Sequence, residues 1–187
     1  HGAAGGVGLA AIQVAKAKGA RVIAGAHTED KRQLALENGA DHAIDLSVDD
    51  LRENLRQQVF AVTDGHGADI IFDPVGGDVF DASLRALAFE GRILTIGYTS
   101  GRIPTAKANY FNVKNLSLVG VAYELYFAYA LDVVDRATAD LYDMYAKGQI
   151  KPKVMATYPL EQFMTALSLF RERKTMGRLV LTTGIGA

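Results

Sequence analysis

The chain has 187 residues, no cysteine and a formal net charge of −1 at pH 7, and 49% of its residues are hydrophobic. This length suffices for one packed domain with an appendage. The near-zero charge argues against a nucleic-acid partner, and the absence of cysteine excludes disulfides and cysteine-ligated zinc within this sequence. The sequence contains no run of about 18 apolar residues that could cross a bilayer. We therefore expect a cytoplasmic globular protein with neither a nucleic-acid nor a membrane partner.

A glycine-rich turn opens the chain and runs directly into an amphipathic helix predicted over 7–18. The spacing Ala3-x-Gly5-x-x-Gly8 is typical of a dinucleotide-binding turn, with alanine at its first position. Such a turn brings bare backbone amides against an anion at a helix N-terminus. We expect Gly5 to allow close approach of a pyrophosphate and Gly8 to allow close packing of the helix. The predicted pyrophosphate contacts are Ala4, Gly5, Gly6, Val7 and Gly8.

The strand that should lead into this turn is missing from the sequence. A dinucleotide-binding fold enters its glycine turn from a buried apolar strand, usually the central one. Here the sequence begins with His1, at or past the end of such a strand, and has no initiator methionine. We therefore expect the chain to be a piece of a longer protein, the alternative being a natural start at His1.

Apolar runs then alternate with helical patterns, which predicts a parallel α/β sheet. Gly19 and Gly39 are expected to end the first two helices, and Thr28 to cap the second. The stretch 97–109 is a long loop, and such loops in compact domains are often functional. The predicted strands are 21–24, 42–45, 69–72, 92–96, 116–122, 154–158 and 178–182; the predicted helices are 7–18, 29–37, 48–59, 78–88, 127–147 and 160–171.

Eight short motifs are spaced along nearly the whole chain. They are GAAGGVG at 2–8, GADH at 39–42, FDPVGGD at 72–78, SLRAL at 83–87, GR at 91–92, IG at 96–97, KNLSLVG at 114–120 and TYPL at 157–160. In this order they resemble the medium-chain dehydrogenase/reductase superfamily and, within it, the zinc-independent NADPH:quinone oxidoreductase branch.

This resemblance implies the fold and the domain organisation. We expect a Rossmann-type, doubly wound parallel sheet that lacks its first strand. Residues 1–150 would form an NADP-binding domain. Residues 151–187 would be a C-terminal segment that returns to a substrate domain absent from this sequence.

One position after the second strand of such a fold selects between NAD and NADP. NAD-preferring sites carry an Asp or Glu there, about 20 residues past the turn, to bind the ribose 2′-hydroxyl. Counting along 21–26 places Ala26 at this position. Because Ala26 offers no carboxylate to repel a 2′-phosphate, the sequence favours NADPH as the cofactor.

The resemblance also implies which side chains lie near the 2′-phosphate. They are Thr28 and Lys31; His27, which directly follows Ala26, is also predicted to contact the cofactor. The alternative is that Thr28 only caps a helix and that Lys31 is a solvated helix residue. The neighbouring acids Glu29 and Asp30 support this alternative, because negative charge weakens phosphate binding.

Two further loops are predicted to flank the ribose and nicotinamide. They follow neighbouring strands, and the carboxyl edge of a parallel sheet faces the ligand. Asp73 lies in the first of them, and beside Pro74 it is expected to order a turn rather than to act as an acid. The residues predicted to contact the cofactor are Val75, Gly76, Gly97, Tyr98 and Thr99.

The resemblance also concerns two further positions, Leu46 and Arg173. NADPH-binding members of the branch often place a tyrosine against the adenine after the third strand, where this sequence has Leu46. That departure puts adenine stacking in doubt, although an apolar contact could survive. Arg173 aligns with a basic residue that reaches the cofactor in relatives, the alternative being a solvated helix end.

The reaction implied is hydride transfer from NADPH to a quinone or an activated alkene or carbonyl, without zinc. The alternatives are an enoyl-thioester reductase and a non-catalytic NADPH-binding protein. His1, His27, His42 and His66 are scattered along the sequence and predict no metal site. No catalytic residue can be assigned, since Tyr98 and Tyr123 are guesses, and the chain alone is expected to be inactive.

A strand near the middle of the chain predicts a partner. Leu116–Ala122 is apolar and carries no charge to protect an exposed edge. In the family, equivalent strands pair across a two-fold axis, so the resemblance implies a C2 homodimer through this strand. The alternative is that residues 110–113 or the long helix cover the edge internally.

Overall fold

The computed structural model of the chain describes residues 1–184, in which parallel strands alternate with helices. Residues 185–187, the end of the predicted C-terminal segment 151–187, lie outside the described residues. In chain order the elements are α1 Gly6–Ala17, β1 Ile23–Ala26, α2 Glu29–Glu37, β2 His42–Asp45, α3 Leu51–Val62, β3 Ala68–Asp73, α4 Gly77–Ser83, β4 Leu87–Thr95, α5 Ala108–Lys114, β5 Ser117–Gly120, α6 Tyr123–Tyr129, α7 Leu131–Ala146, β6 Val154–Pro159, a short 3-10 helix Leu160–Gln162, α8 Phe163–Arg171 and β7 Arg178–Thr182.

The strands form three parallel groups, ordered β1-β2, β3-β4-β5 and β6-β7. The expected Rossmann-like α/β architecture is confirmed. β1 and β3 do not pair with each other. Instead, the amino group of His1 donates to Phe72 O of β3 at 2.9 Å, and Ala3 N donates to Gly25 O of β1 at 3.2 Å. The start of the chain therefore lies between β1 and β3, where the sequence predicts the end of a central strand.

Apolar helix faces pack on the strands in three clusters of buried residues. α1 and α2 cover β1, α3 and α4 cover β2, and α4 also packs against β3 and β4. Removing this apolar area from water is the main favourable term in folding, at roughly 25 cal/mol per Å². The largest fully buried apolar side chains are Phe80, Leu55, Leu87 and Ile93.

The boundary between α4 and β4 differs from the predicted one. The predicted helix 78–88 ends at Ser83, and Leu87 already belongs to β4, where it pairs with Ala68. Leucine and alanine are good helix formers, so a short apolar run does not separate a helix from a buried strand. Full burial of Leu87 and Ala88 against neighbouring elements stabilises the strand. The prediction of 92–96 as this strand was therefore too short.

The predicted helix 127–147 is in fact two helices. α6 ends at Tyr129, and Ala130, with φ −155° and ψ 56°, breaks the helical backbone before α7 begins. An alanine gives no sequence signal for such a break, because its helix propensity is the highest of all residues.

Smaller differences concern element ends. β1 begins two residues later than predicted and ends at Ala26, and α3 spans Leu51–Val62 rather than 48–59. The predicted loop 97–109 ends where the unpredicted helix α5 begins, at Ala108. β5 covers Ser117–Gly120, the centre of the predicted strand 116–122.

Candidate functional site

The glycine turn leaves a set of backbone amides open at the start of α1. The first helical hydrogen bond runs from Leu9 N to Gly5 O at 2.9 Å. The amides of Gly6, Val7 and Gly8 precede it, and no capping side chain or first-turn acid meets them in the described part of the chain. Backbone N–H groups at a helix N-terminus attract anions. The turn can therefore bind a phosphate without a charged side chain of its own.

Gly8 allows the close packing that the sequence predicts for it. A Cβ atom at this position would overlap the carbonyl oxygen of Gly2 and lie 2.7 Å from Ala3 Cα. Backbone atoms cannot move away as a flexible side chain can. Gly8 therefore fixes the distance between α1 and the turn that precedes it.

The C-terminal segment reaches this turn, which the sequence reasoning missed. Gly177 N donates to Ala4 O at 2.8 Å, and Gly5 and Gly177 form an isolated parallel bridge. The space beside Gly6 is filled by Arg178, whose Cγ lies 3.1 Å from the position of a Cβ on Gly6. Tertiary folding alone brings Arg178 to the turn, so no local sequence pattern predicts this contact.

Asp73 orders the turn after β3, as the sequence predicts. Its carboxylate is buried and accepts hydrogen bonds from Val75 N at 2.9 Å and Gly76 N at 3.1 Å. Gly76 has φ +68°, a left-handed conformation that glycine adopts without strain. The side chain of Asp73 is thus committed to the backbone of its own loop.

The loop after β4 lies on this turn. Thr99 N and Thr99 Oγ1 both donate to Pro74 O, at 3.1 and 3.0 Å, and the ring of Tyr98 packs against Gly76. Gly97 passes near the same carbonyl of Pro74. On the other side, Val75 lies beside Gly2 of the glycine turn. The structure therefore brings Val75, Gly76, Gly97, Tyr98 and Thr99 together with the turn at one edge.

The corner after β1 contains the residues predicted near a 2′-phosphate. Ala26 is the last residue of β1 and is buried, so no carboxylate occupies this position. His27 and Thr28 follow as exposed residues. Thr28 occupies the predicted N-cap position of α2, but its hydroxyl makes no capping hydrogen bond. The extended backbone of Thr28 starts the helix without the side-chain bond.

Lys31 and Arg173 meet at this corner although 142 positions separate them. Lys31 Nζ donates to the backbone carbonyl of Arg173 at 2.8 Å. Burial lowers the pKa of His27, and the positive charges of Lys31 and Arg173 lower it further. His27, Lys31 and Arg173 therefore form one basic cluster, with His27 neutral at pH 7 in the absence of an anion.

Two acids near this cluster, Glu29 and Asp45, are paired. Arg32 binds Glu29 at 2.7 Å and Asp45 at 2.9 Å. Hydrogen bonds from Ser47, together with Arg32, lower the pKa of the Asp45 carboxyl. The i,i+3 spacing of Glu29 and Arg32 is a sequence signal for the first pair, which weakens the argument that Glu29 opposes phosphate binding.

Other candidate residues, Leu46 and Tyr123, make packing contacts in the structure. Leu46 is buried beside Gly25, so it offers no surface for an adenine. Tyr123 packs edge-to-face on Phe127, with 5.4 Å between ring centroids. In the part of the chain that the structure describes, no three His, Asp or Glu side chains come together as a metal site. None of the described helices is long and apolar enough to cross a membrane.

The glycine turn and its strand–helix surroundings match a known family. The model of the zinc-binding dehydrogenase family matches residues 6–136. The chain belongs to the zinc-binding dehydrogenase family. Relatives include a quinone oxidoreductase-like protein 2 homolog of Nematostella vectensis, 35% identical over 97% of this chain and 49% of the relative, and quinone oxidoreductase 1 of Escherichia coli, 32% identical over 97% and 55%. These matches confirm membership of the medium-chain dehydrogenase/reductase superfamily and its quinone oxidoreductase branch.

Solved structures agree with this assignment. The crystal structure of Escherichia coli quinone oxidoreductase complexed with NADPH superimposes with a TM-score of 0.85 at 32% identity, over 97% of this chain and 55% of that one. The chain spans about half the length of the relatives it matches.

Proposed function

We propose that this chain is the cofactor-binding part of a zinc-independent oxidoreductase that transfers hydride from NADPH to a quinone or another activated alkene or carbonyl. One observation carries the proposal: the open amides of Gly6–Gly8 lie on the same edge as the basic corner of Lys31 and Arg173. The first group suits a pyrophosphate and the second a 2′-phosphate.

The residues of this chain would bind and orient the cofactor rather than carry the reaction. A nicotinamide supplies the hydride, and the protein supplies position and electrostatics. In this proposal the turn binds the pyrophosphate, and the loops of Val75–Gly76 and Gly97–Thr99 flank the ribose and nicotinamide. Two charge-assisted hydrogen bonds from the basic corner, at about 1.5–3 kcal/mol each, would favour NADPH over NADH by on the order of 100-fold or more.

The acceptor is proposed from the relatives. Curated quinone oxidoreductases match nearly the whole chain, which supports a quinone or activated-alkene acceptor. We propose that residues 1–150 form the cofactor domain and that 151–187 belong with a substrate domain, in a cytoplasmic protein. Turnover of a simple quinone with NADPH by a protein that joins this chain to such a domain would support the enzyme. Binding without turnover would favour the non-catalytic alternative.

The cofactor assignment is tested on the chain itself. We would titrate it with NADPH and with NADH and follow the rise in Tm, since a ligand that binds only the folded state stabilises it. Stabilisation by NADPH at concentrations at least tenfold below those needed for NADH is the expected result. An equal response to both nucleotides would contradict the assignment of the 2′-phosphate to Lys31 and Arg173.

We also propose a homodimer through β5. This strand is the outer member of the β3-β4-β5 sheet, and all four of its residues are exposed, so neither α5 nor the following helices cover it in the described residues. We expect Val119→Lys to convert a dimer to a monomer in sedimentation velocity, because a charge at the edge opposes strand pairing. The control is Val113→Lys, an exposed position on α5. A dimer that survives Val119→Lys would contradict the proposal.

A further inference from the structure

A carboxylate lies beside the end of β1, but it belongs to the neighbouring strand. Ala26 and Asp45 are partners in the parallel register of β1 and β2, and each is the last residue of its strand. Leu46 N donates to Ala26 O at 3.1 Å, which holds the two strand ends together. Asp45 thus brings an acid to the corner at which an NAD-preferring fold carries its acid on β1.

The charge of Asp45 reaches the basic cluster at this corner. Burial lowers the pKa of His27, and the charges of Lys31 and Arg173 lower it further. The carboxylate of Asp45 acts on the pKa of the same imidazole in the opposite direction. A free carboxylate at this place repels a 2′-phosphate and accepts a hydrogen bond from a ribose 2′-hydroxyl. An uncompensated Asp45 would therefore oppose the NADPH preference that Ala26 permits.

Arg32 of α2 compensates this carboxylate. Its Nη1 lies 2.9 Å from Asp45 Oδ1 and donates to Ala26 O at 3.4 Å. Its Nη2 donates to Glu29 Oε2 at 2.7 Å. Only 16% of the Arg32 side chain and 32% of the Asp45 side chain are exposed. Water and salt therefore screen this ion pair less than a pair on the open surface.

The two acids that bind Arg32 differ in how firmly they are held. Asp45 Oδ1 also accepts hydrogen bonds from Ser47 N at 2.8 Å and Ser47 Oγ at 2.6 Å, which fix the carboxylate at the strand end. Glu29 is 78% exposed and lies three residues before Arg32 on the same helix. Solvent screens the charge of such a side chain, and exposed pairs of this kind contribute little. Asp45 is the acid whose charge decides the electrostatics of the corner.

We propose that the ion pair of Arg32 with Asp45 is a determinant of nucleotide specificity, in which Arg32 neutralises the carboxylate that would otherwise repel a 2′-phosphate. This role rests on the proposed function, which assigns a 2′-phosphate to this corner. Arg32 acts through Asp45 and need not touch the nucleotide, so it is a positioning residue. Without Arg32, Asp45 takes the place of the β1 acid of NAD-preferring folds and accepts a hydrogen bond from the ribose 2′-hydroxyl.

The test measures the Kd of NADPH and of NADH for variants of the chain by isothermal titration. We expect Arg32→Met to weaken NADPH binding by about tenfold or more and to tighten NADH binding by about two- to fivefold. Methionine retains the apolar stem of the arginine and removes its charge. We expect the double variant Arg32→Met/Asp45→Asn to bind NADPH within about threefold of wild type. A loss of affinity for both nucleotides together, without this rescue, would overturn the proposal.

Asp45→Asn alone gives a second test that leaves Arg32 in place. Asparagine keeps an oxygen for the two hydrogen bonds from Ser47 and removes the negative charge. The guanidinium of Arg32 then faces the corner without a counter-charge. We expect NADPH to bind about two- to tenfold tighter and NADH no tighter than to wild type. Unchanged or weaker binding of NADPH would overturn the proposal.

Two control variants separate this ion pair from its neighbours. Adding Glu29→Gln to Arg32→Met should not restore NADPH binding, because the charge of Glu29 is already screened. Arg56→Met removes a comparable arginine on α3, which pairs with Glu53 at 2.9 Å, and should change both affinities by less than about twofold. Rescue by Glu29→Gln equal to that by Asp45→Asn, or an equal effect of Arg56→Met, would overturn the proposal.

The same titrations distinguish a failure of this role from a failure of the proposed function. A wild-type chain that binds both nucleotides equally would overturn the NADPH assignment and the role of Arg32 together. A wild-type chain that prefers NADPH, with an Arg32→Met variant that keeps the full preference, would overturn the role of Arg32 alone.

Discussion

In the proposed function, two corners of the same sheet edge would bind phosphate in different ways. The turn into α1 offers the backbone amides of Gly6–Gly8, which no capping side chain meets in the described residues. The corner at the start of α2 offers the side chains of His27, Lys31 and Arg173, contributed by two distant segments. The first corner is set by local backbone geometry and, in the proposed function, would bind any dinucleotide. The second depends on tertiary packing, and it is where discrimination between two nucleotides can arise.

The largest effect is expected from a substitution in the glycine turn at the start of α1. We expect Gly8→Ala to lower the free energy of unfolding by about 1–3 kcal/mol, because its Cβ has no space beside Gly2 and Ala3. Binding of NADPH and NADH should fall together. Urea denaturation and nucleotide titration measure both effects. Gly120→Ala is the control, since nothing lies within 4 Å of a Cβ there. Loss of NADPH binding alone would contradict a role for the turn shared by both nucleotides.

The next largest effect is expected from Lys31→Met, which should change NADPH binding but not NADH binding. We expect Lys31→Met to weaken NADPH binding by roughly 10- to 100-fold, the loss of one charged hydrogen bond, and to leave NADH binding unchanged. Lys18→Met is the matched control, because Lys18 directly follows α1 and pairs with the exposed Asp140 at 3.2 Å. Isothermal titration with both nucleotides distinguishes the outcomes. A parallel loss of NADH affinity would mean that Lys31 acts through the fold of α2.

A smaller effect is expected from the guanidinium of Arg173. Lys31 binds the backbone carbonyl of Arg173, so Arg173→Asn keeps that contact while it removes the charge. Asparagine also tolerates the left-handed backbone, φ +57°, at this position. We expect NADPH affinity to fall by about two- to fivefold, and the difference from wild type to shrink at high salt. A difference that persists in 1 M salt would indicate a lost packing contact instead of a lost charge.

The smallest effect concerns the pH dependence of stability. The pKa of His27 is lowered in the folded protein by burial and by Lys31 and Arg173. The unfolded chain therefore binds this proton more readily, and stability falls as pH drops below about 6.5. We expect His27→Gln to reduce the decrease in Tm between pH 7 and pH 5.5. Melting curves across this range measure it, and an unaltered slope would show that other groups cause the decrease.

The two corners also differ in how far the sequence predicts them. Ala3, Gly5 and Gly8 follow a spacing whose physical meaning is local, and the structure has the turn and the helix that this spacing predicts. The turn ordered by Asp73 beside Pro74 was likewise predicted from the sequence. The contact between Lys31 and Arg173 was not, because tertiary folding alone brings these residues together. The family resemblance suggested only that Lys31 lies near the 2′-phosphate and that Arg173 reaches the cofactor.

Predictions failed where local propensity and packing compete. Leu87 and Ala88 have helical propensity, yet burial places them in β4. Thr28 is a favourable N-cap residue that makes no capping bond. Ala130 interrupts a pattern that is otherwise continuous. For Leu87 and Ala88 the deciding interaction is burial against neighbouring elements, which no window of the sequence contains.

The C-terminal segment contacts both corners at once. Gly177 is bonded to Ala4 beside the glycine turn, and the carbonyl of Arg173 is bonded to Lys31 at the start of α2. A displacement of this short stretch would loosen the surroundings of both phosphate positions together. In the proposed function, movement of this stretch would be coupled to nucleotide release, although Arg173 lies 142 positions from Lys31 in sequence.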